Sequence, residues 1–260
     1  MRSFAFLPVV LAAIALATPA AAAEPEAEIA AGLEYQQGDY GTGERVETVT
    51  VRNTFRVQSG RAQFYVSLPW HRIEGPGNVS GGGGLLGPIL TDPGRPAART
   101  SRQGIGDLRV GAGYTLAVPA GIGLTVIGEA KLPTASASRG LGTGATDFTV
   151  GGEAARTFGP LTLFAGVSYT LAGDPEGTRA RDNVGARGGV AIQISPGLRG
   201  HVSYGEARGL SPFIENERQL STGIDARLSE RLSLGVSGGA GLSQRSPDIG
   251  ASVRLGWRIF

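Results

Sequence analysis

Side chains of opposite character alternate residue by residue along most of this chain, and a period of two is the period of a β-strand. Val49, Val51, Phe55 and Val57 share one face of a segment whose other face carries Thr48, Thr50, Arg52, Thr54 and Arg56. Leu108, Val110, Ala112, Tyr114, Leu116 and Val118 stand against Asp107, Arg109, Gly111, Gly113 and Thr115. In the last segment Ile249, Ala251, Val253, Leu255, Trp257 and Ile259 oppose Gly250, Ser252, Arg254, Gly256 and Arg258. The 43 glycines among 260 residues sit mostly inside such segments. They therefore read as small side chains of a sheet rather than as a low-complexity tract.

The pattern predicts strands near 28–37, 46–57, 61–71, 105–118, 122–132, 147–158, 161–171, 183–194, 198–206, 217–228, 232–243 and 249–260. Each window is close to the roughly 9–11 residues with which a tilted strand crosses a bilayer. The links alternate in kind. Gln58-Ser59-Gly60, Pro119-Ala120-Gly121, Gly159-Pro160, Ser195-Pro196-Gly197 and Ser229-Glu230-Arg231 are tight turns, and longer links lie between them. Short turns at one end and long loops at the other imply an all-β fold. The expected form is a transmembrane antiparallel up-and-down β-barrel of about twelve strands, with both termini on the periplasmic side. No run of roughly 18 apolar residues follows the N-terminal stretch, so the sequence offers no transmembrane helix.

The first residues follow another rule. Arg2 precedes an apolar stretch from Phe4 to Ala17, and small residues end at Ala21-Ala22-Ala23. This is the order of a secretory signal, so residues 1–23 are expected to be a signal peptide and residues 24–260 the barrel. The chain has no cysteine, so an exported product has no disulfides and must be stabilised by sheet closure and lipid. A formal net charge of +2 is too small to argue for nucleic acid.

Alternation alone leaves two orientations open, because a soluble barrel could turn its apolar face inward. The signal peptide and the aromatics favour lipid outside. Tyr35, Trp70, Phe148, Tyr169 and Tyr204 fall near the long-loop ends, and Phe55, Phe158 and Trp257 near the short-turn ends. Two girdles at the headgroup levels of a bilayer are the expected reason, although Tyr114 and Phe64 fit them less well. Phe260 is out of phase with Trp257 and Ile259, and without a bulge it would point inward. A last strand ending in an aromatic residue is nevertheless what barrel-assembly machinery reads, which makes that machinery an expected partner beside outer-membrane lipid.

With lipid outside, the polar face encloses the lumen. Arg52, Arg56, Arg109, Glu129, Lys131, Glu153, Arg187, Arg227 and Arg254 are then lumen-lining residues that would set selectivity. Both signs occur, so ion pairs across neighbouring strands are expected. The longest link, Arg72 to Gly104, holds Gly81-Gly82-Gly83-Gly84 and then Leu85, Leu86 and Ile89, which are expected to fold over the mouth as a gating loop.

Gly104-Ile105-Gly106-Asp107-Leu108-Arg109-Val110-Gly111, then Lys131-Leu132-Pro133-Thr134, then Leu141-Gly142-Thr143-Gly144-Ala145-Thr146-Asp147 form a series of short motifs. In these the chain resembles the outer-membrane transporter family named for the meta-pathway of phenol degradation. The resemblance implies a passive channel in the bacterial outer membrane for small, hydrophobic or aromatic solutes, without catalytic residues. Two other readings stay open: a barrel hydrolase acting on lipid, and a structural barrel with a blocked lumen. The hydrolase is weakly supported. His71 and His201 are the two histidines, and Ser67, four residues before His71 on one strand, is too far for direct contact. No metal or cofactor is expected, because two separated histidines without cysteine make no recognisable site, and Gly81–Gly84 lacks the lysine and hydroxyl residue of a phosphate loop.

Overall fold

The computed structural model describes residues 24–40, 43–77, 79–80, 89–90, 98–174, 182–208 and 216–260. The expected signal peptide, residues 1–23, lies outside them. The strands are β1 (Glu26–Gly38), β2 (Val46–Ser59), β3 (Ala62–Pro76), β4 (Val79–Ser80), β5 (Ile89–Leu90), β6 (Arg99–Ile105), β7 (Leu108–Val118), β8 (Ile122–Leu132), β9 (Asp147–Phe158), β10 (Leu161–Ala172), β11 (Asn183–Ser195), β12 (Leu198–Ala207), β13 (Glu217–Arg227), β14 (Leu232–Gly241) and β15 (Ile249–Arg258). Thirteen of them form one antiparallel sheet that closes on itself where β1 meets β15, from Glu28 opposite Arg258 to Gln37 opposite Ile249. Strands β6 and β7 share one position in the wall, because both pair with β3. The wall is therefore a closed barrel of twelve antiparallel staves, as the alternation implied. Closure gives every stave of the wall a partner on both sides, and among the described strands the β6 extension pairs with β3 alone.

The fourth stave is split by a bulge. Ser67 pairs with Arg109 and Trp70 with Ile105, so Leu68 and Pro69 of β3 face three residues, Gly106, Asp107 and Leu108. Pro69 has no N–H to donate to the ladder, and the extra residue takes up the gap. The Gly106 N–H reaches the Pro69 carbonyl oxygen at 2.8 Å. Gly106 also lies beneath the ring of His71, where a Cβ would come within 2.5 Å of Nε2. Above the bulge β3 and β6 run on as a paired ribbon to Pro76 and Arg99. The link expected to be loop from Arg72 to Gly104 is thus strand at both ends, and β4 and β5 pair within it.

Outside, the barrel is apolar. Val167, Phe148, Ile192, Val150 and Leu255 are all exposed. Exposed apolar side chains in a continuous belt are stable only against hydrocarbon. The soluble alternative, with these residues as a core, is excluded by their outward direction. Phe148, Tyr169 and Tyr204 are exposed at the loop ends, and Phe55, Phe158 and Trp257 at the turn ends. Tyr114 stands opposite Ala62, at the periplasmic start of β3, and Phe64 is two residues further along that strand. Register therefore gives these two aromatics places at the lower girdle that spacing along one strand did not suggest. Phe260 lies past the end of β15 at the periplasmic rim, and its side chain is exposed. Its carbonyl oxygen accepts from the Ala27 N–H at 3.1 Å.

Candidate functional site: the barrel lumen

The inward face carries the residues that alternation placed against the apolar belt, and strand register decides which of them meet. Between the wall of β1, β2, β3, β7 and β8 and the wall of β12 to β15 lies a cavity of about 230 Å³. The first wall is bulky and charged. The second is mostly small residues, among them Ser203, Ser221, Gly235, Ser237, Gly239 and Ser252, with His201, Asp225 and Arg254 between them. The space exists because one half of the barrel is thin.

Most charges on the bulky wall are paired, with Arg56 the exception. Arg52 Nε donates to Glu34 Oε1 at 3.0 Å. Arg109 Nη1 donates to Glu129 Oε1 at 2.6 Å, and the Tyr65 hydroxyl donates to Glu129 Oε2 at 2.7 Å. Glu129 is thereby held on both oxygens, and all three residues are buried. Across the cavity Arg254 reaches Glu28 at 3.2 Å and Asp225 at 3.7 Å. Arg187 pairs with Glu153, and both border a second, smaller cavity of about 70 Å³. The Arg187 guanidinium also lies 5.9 Å from the Phe164 ring, an inward aromatic that the sequence reading did not single out. Phe164 faces Gly189 on β11, and the missing side chain there makes room for the ring.

Two of the expected lining residues stand elsewhere. Arg227, the last residue of β13, is exposed at the barrel end and away from the cavity. Lys131 is 1% exposed and belongs to a separate cluster on the loop side. Its Nζ lies 2.8 Å from Asp147 Oδ2 and 3.5 Å from Asp107 Oδ2, and donates to Thr143 Oγ1 at 2.7 Å. Asp107 Oδ1 accepts from the Ala135 N–H at 3.0 Å. Thr134 completes the join: its hydroxyl accepts from the Leu108 N–H at 2.8 Å and donates to the Gly106 carbonyl at 3.1 Å. The segment after β8 is thus stitched into the bulge of the fourth stave. The three motifs around Asp107, Lys131 and Asp147 meet as one buried unit.

The outer mouth holds an apolar cluster of Tyr40, Val46, Ile73 and Val79, all almost fully buried. Val79 comes from the short β4 within the long link. Leu85 and Leu86 lie outside the described residues, and of Ile89 only the backbone, paired with Ser80, is described. Arg245 of the last loop donates to the Tyr40 carbonyl at 3.0 Å, tying a second loop to the cluster. Burial pushes the Tyr40 phenol well above its ordinary pKa, with Glu217 and Asp248 adding to the effect, so the ring stays neutral.

His71 is buried, and its Nδ1 lies 2.9 Å from Thr50 Oγ1. The Ser67 hydroxyl accepts from Thr54 at 3.2 Å. His201 Nδ1 stands 3.7 Å from Asp225. No group of three or more potential metal ligands occurs among the described residues.

No family model and no curated protein matches the chain. Solved structures do. An outer-membrane channel from Pseudomonas putida F1 superposes with a TM-score of 0.69 at 13% identity, covering 94% of this chain and 97% of the other. The NanC porin superposes with a TM-score of 0.54 at 8% identity, covering 88% and 97%. The translocator domain of the autotransporter NalP from Neisseria meningitidis does so with a TM-score of 0.51 at 11% identity, covering 94% and 91%. The fold is that of a bacterial outer-membrane β-barrel. At these identities the likeness is one of architecture, and a channel, a porin and a translocator share it.

Proposed function

We propose that this chain is a passive outer-membrane channel through which small molecules diffuse. The observation that carries the reading is the cavity of about 230 Å³ within the barrel wall, lined by bulky charged residues on one side and mainly by small residues on the other. A barrel serving only as scaffold has no need of such a space. The similar barrel of Pseudomonas putida F1 is named as an outer-membrane channel and NanC as a porin, which supports the same reading.

The finer assignment, to the family named for the meta-pathway of phenol degradation, is supported by the three motifs that meet at Lys131. Hydrophobic or aromatic solutes are the class it implies. In this reading Arg52, Arg109, Glu129, Arg187, Glu153 and Arg254 set the field along the path. The segment carrying Val79 narrows the mouth. Cleavage after Ala23 and assembly through the final strand ending at Phe260 complete the route to the outer membrane.

Liposome swelling with neutral solutes of graded size tests the proposal. Purified barrels should admit small sugars and exclude large ones. Vesicles that neither swell with any solute nor carry ionic current would overturn it in favour of a blocked structural barrel.

A further inference from the structure

Five arginines line the main cavity, and four of them form an ion pair with a carboxylate: Arg52, Arg109, Arg187 and Arg254. Arg56 forms none within 4 Å among the described residues, and its Nε is buried without a hydrogen-bond partner. Register explains how this arises. Arg56 stands between Glu28 on β1 and Tyr65 on β3. Glu28 turns instead to Arg254, and the Tyr65 hydroxyl is spent on Glu129. Both neighbours that could have satisfied the guanidinium are engaged with others.

A half-buried guanidinium with no ion-pair partner within 4 Å, and with a buried Nε that makes no hydrogen bond, is costly, and an anion from the passing solution would relieve that cost. The guanidinium offers a planar fork of donors that matches a carboxylate in two parallel hydrogen bonds. The adjoining wall of β14 and β15, with Ser237, Gly238 and Ser252, leaves room for the rest of a small molecule. We propose that Arg56 is a binding point for small organic carboxylates inside the lumen. The proposal rests on the channel reading for its physiological meaning, because it names the solute class that the path favours.

The contact is read without requiring passage. The barrel in detergent micelles, labelled with ¹⁵N at arginine Nε, is titrated with sodium acetate, and the Arg56 resonance is identified by its loss in Arg56→Lys. A saturable shift of that resonance with acetate is expected, with about tenfold weaker response to chloride, as the loss of a paired, charge-assisted contact implies. No saturable shift, or equal affinity for chloride, overturns the carboxylate assignment whether or not the barrel conducts. In planar bilayers the acetate-over-potassium permeability ratio should fall in Arg56→Gln and stay at the wild-type value in Arg61→Gln, whose side chain is exposed at a turn. An unchanged ratio in Arg56→Gln overturns the proposal as well. A saturable acetate shift in a barrel that carries no current would keep the site and sink the channel.

Discussion

The ring of Tyr65 fills the space that a side chain at Gly111 would need: a Cβ at Gly111 would come within 2.3 Å of Tyr65 Cζ. The two residues face each other across β3 and β7. The glycine is therefore part of the charge network, because only its absent side chain lets the Tyr65 hydroxyl reach Glu129.

Gly111→Val should push the ring aside and break that hydrogen bond. Overpacking of this kind costs about 2 kcal/mol. The loss should appear in urea unfolding of the barrel in phospholipid vesicles. In a Tyr65→Ser background the valine should cost markedly less, because the clash is gone. Equal costs in both backgrounds would mean that the two positions do not interact.

Val167 is 65% exposed at the middle of β10, and its neighbour Ser168 faces inward. An arginine at a lipid-facing midplane position costs about 2–4 kcal/mol, whereas an inward one reaches water. Val167→Arg should thus lower unfolding stability by that amount and Ser168→Arg by much less. The reverse order would place the apolar face inside.

Val79 is 1% exposed against Tyr40, Val46 and Ile73. A carboxylate there would be buried without a partner, which costs several kcal/mol and favours release of the β4 segment from the mouth. Single-channel conductance of Val79→Asp should exceed that of the wild type, with far-UV circular dichroism unchanged. Identical conductance would show that this segment does not narrow the path.

The strands were legible because each combines an apolar face with a polar one, and the turns because Pro119, Gly121, Pro160 and Gly197 punctuate them. The extension of β3 and β6 beyond the membrane was not. Arg72, Glu74, Thr100 and Arg102 have no Leu/Val face, and backbone pairing leaves no trace in composition. The polar face announced Arg52, Arg109 and Glu129 as inward residues, but not their partners, which depend on register between distant segments. Lys131 is the sharpest case. Parity placed it inside, while its neighbours Asp107 and Asp147 lie 24 residues before and 16 after it, so only folding reveals a closed cluster in place of a lining cation. The mouth cluster combines Val46 and Ile73, ordinary strand residues, with Val79 from a glycine-rich link, and nothing in their spacing joins them.

The stitching of Thr134 and Ala135 into the fourth stave has a practical meaning for anyone wishing to display peptides on this barrel. An outward link is normally the safest place to insert foreign sequence. Here, a tag placed between Thr134 and Thr143 would pull out the thread that seals the seam at Gly106, and the damage would be felt in the wall rather than at the surface.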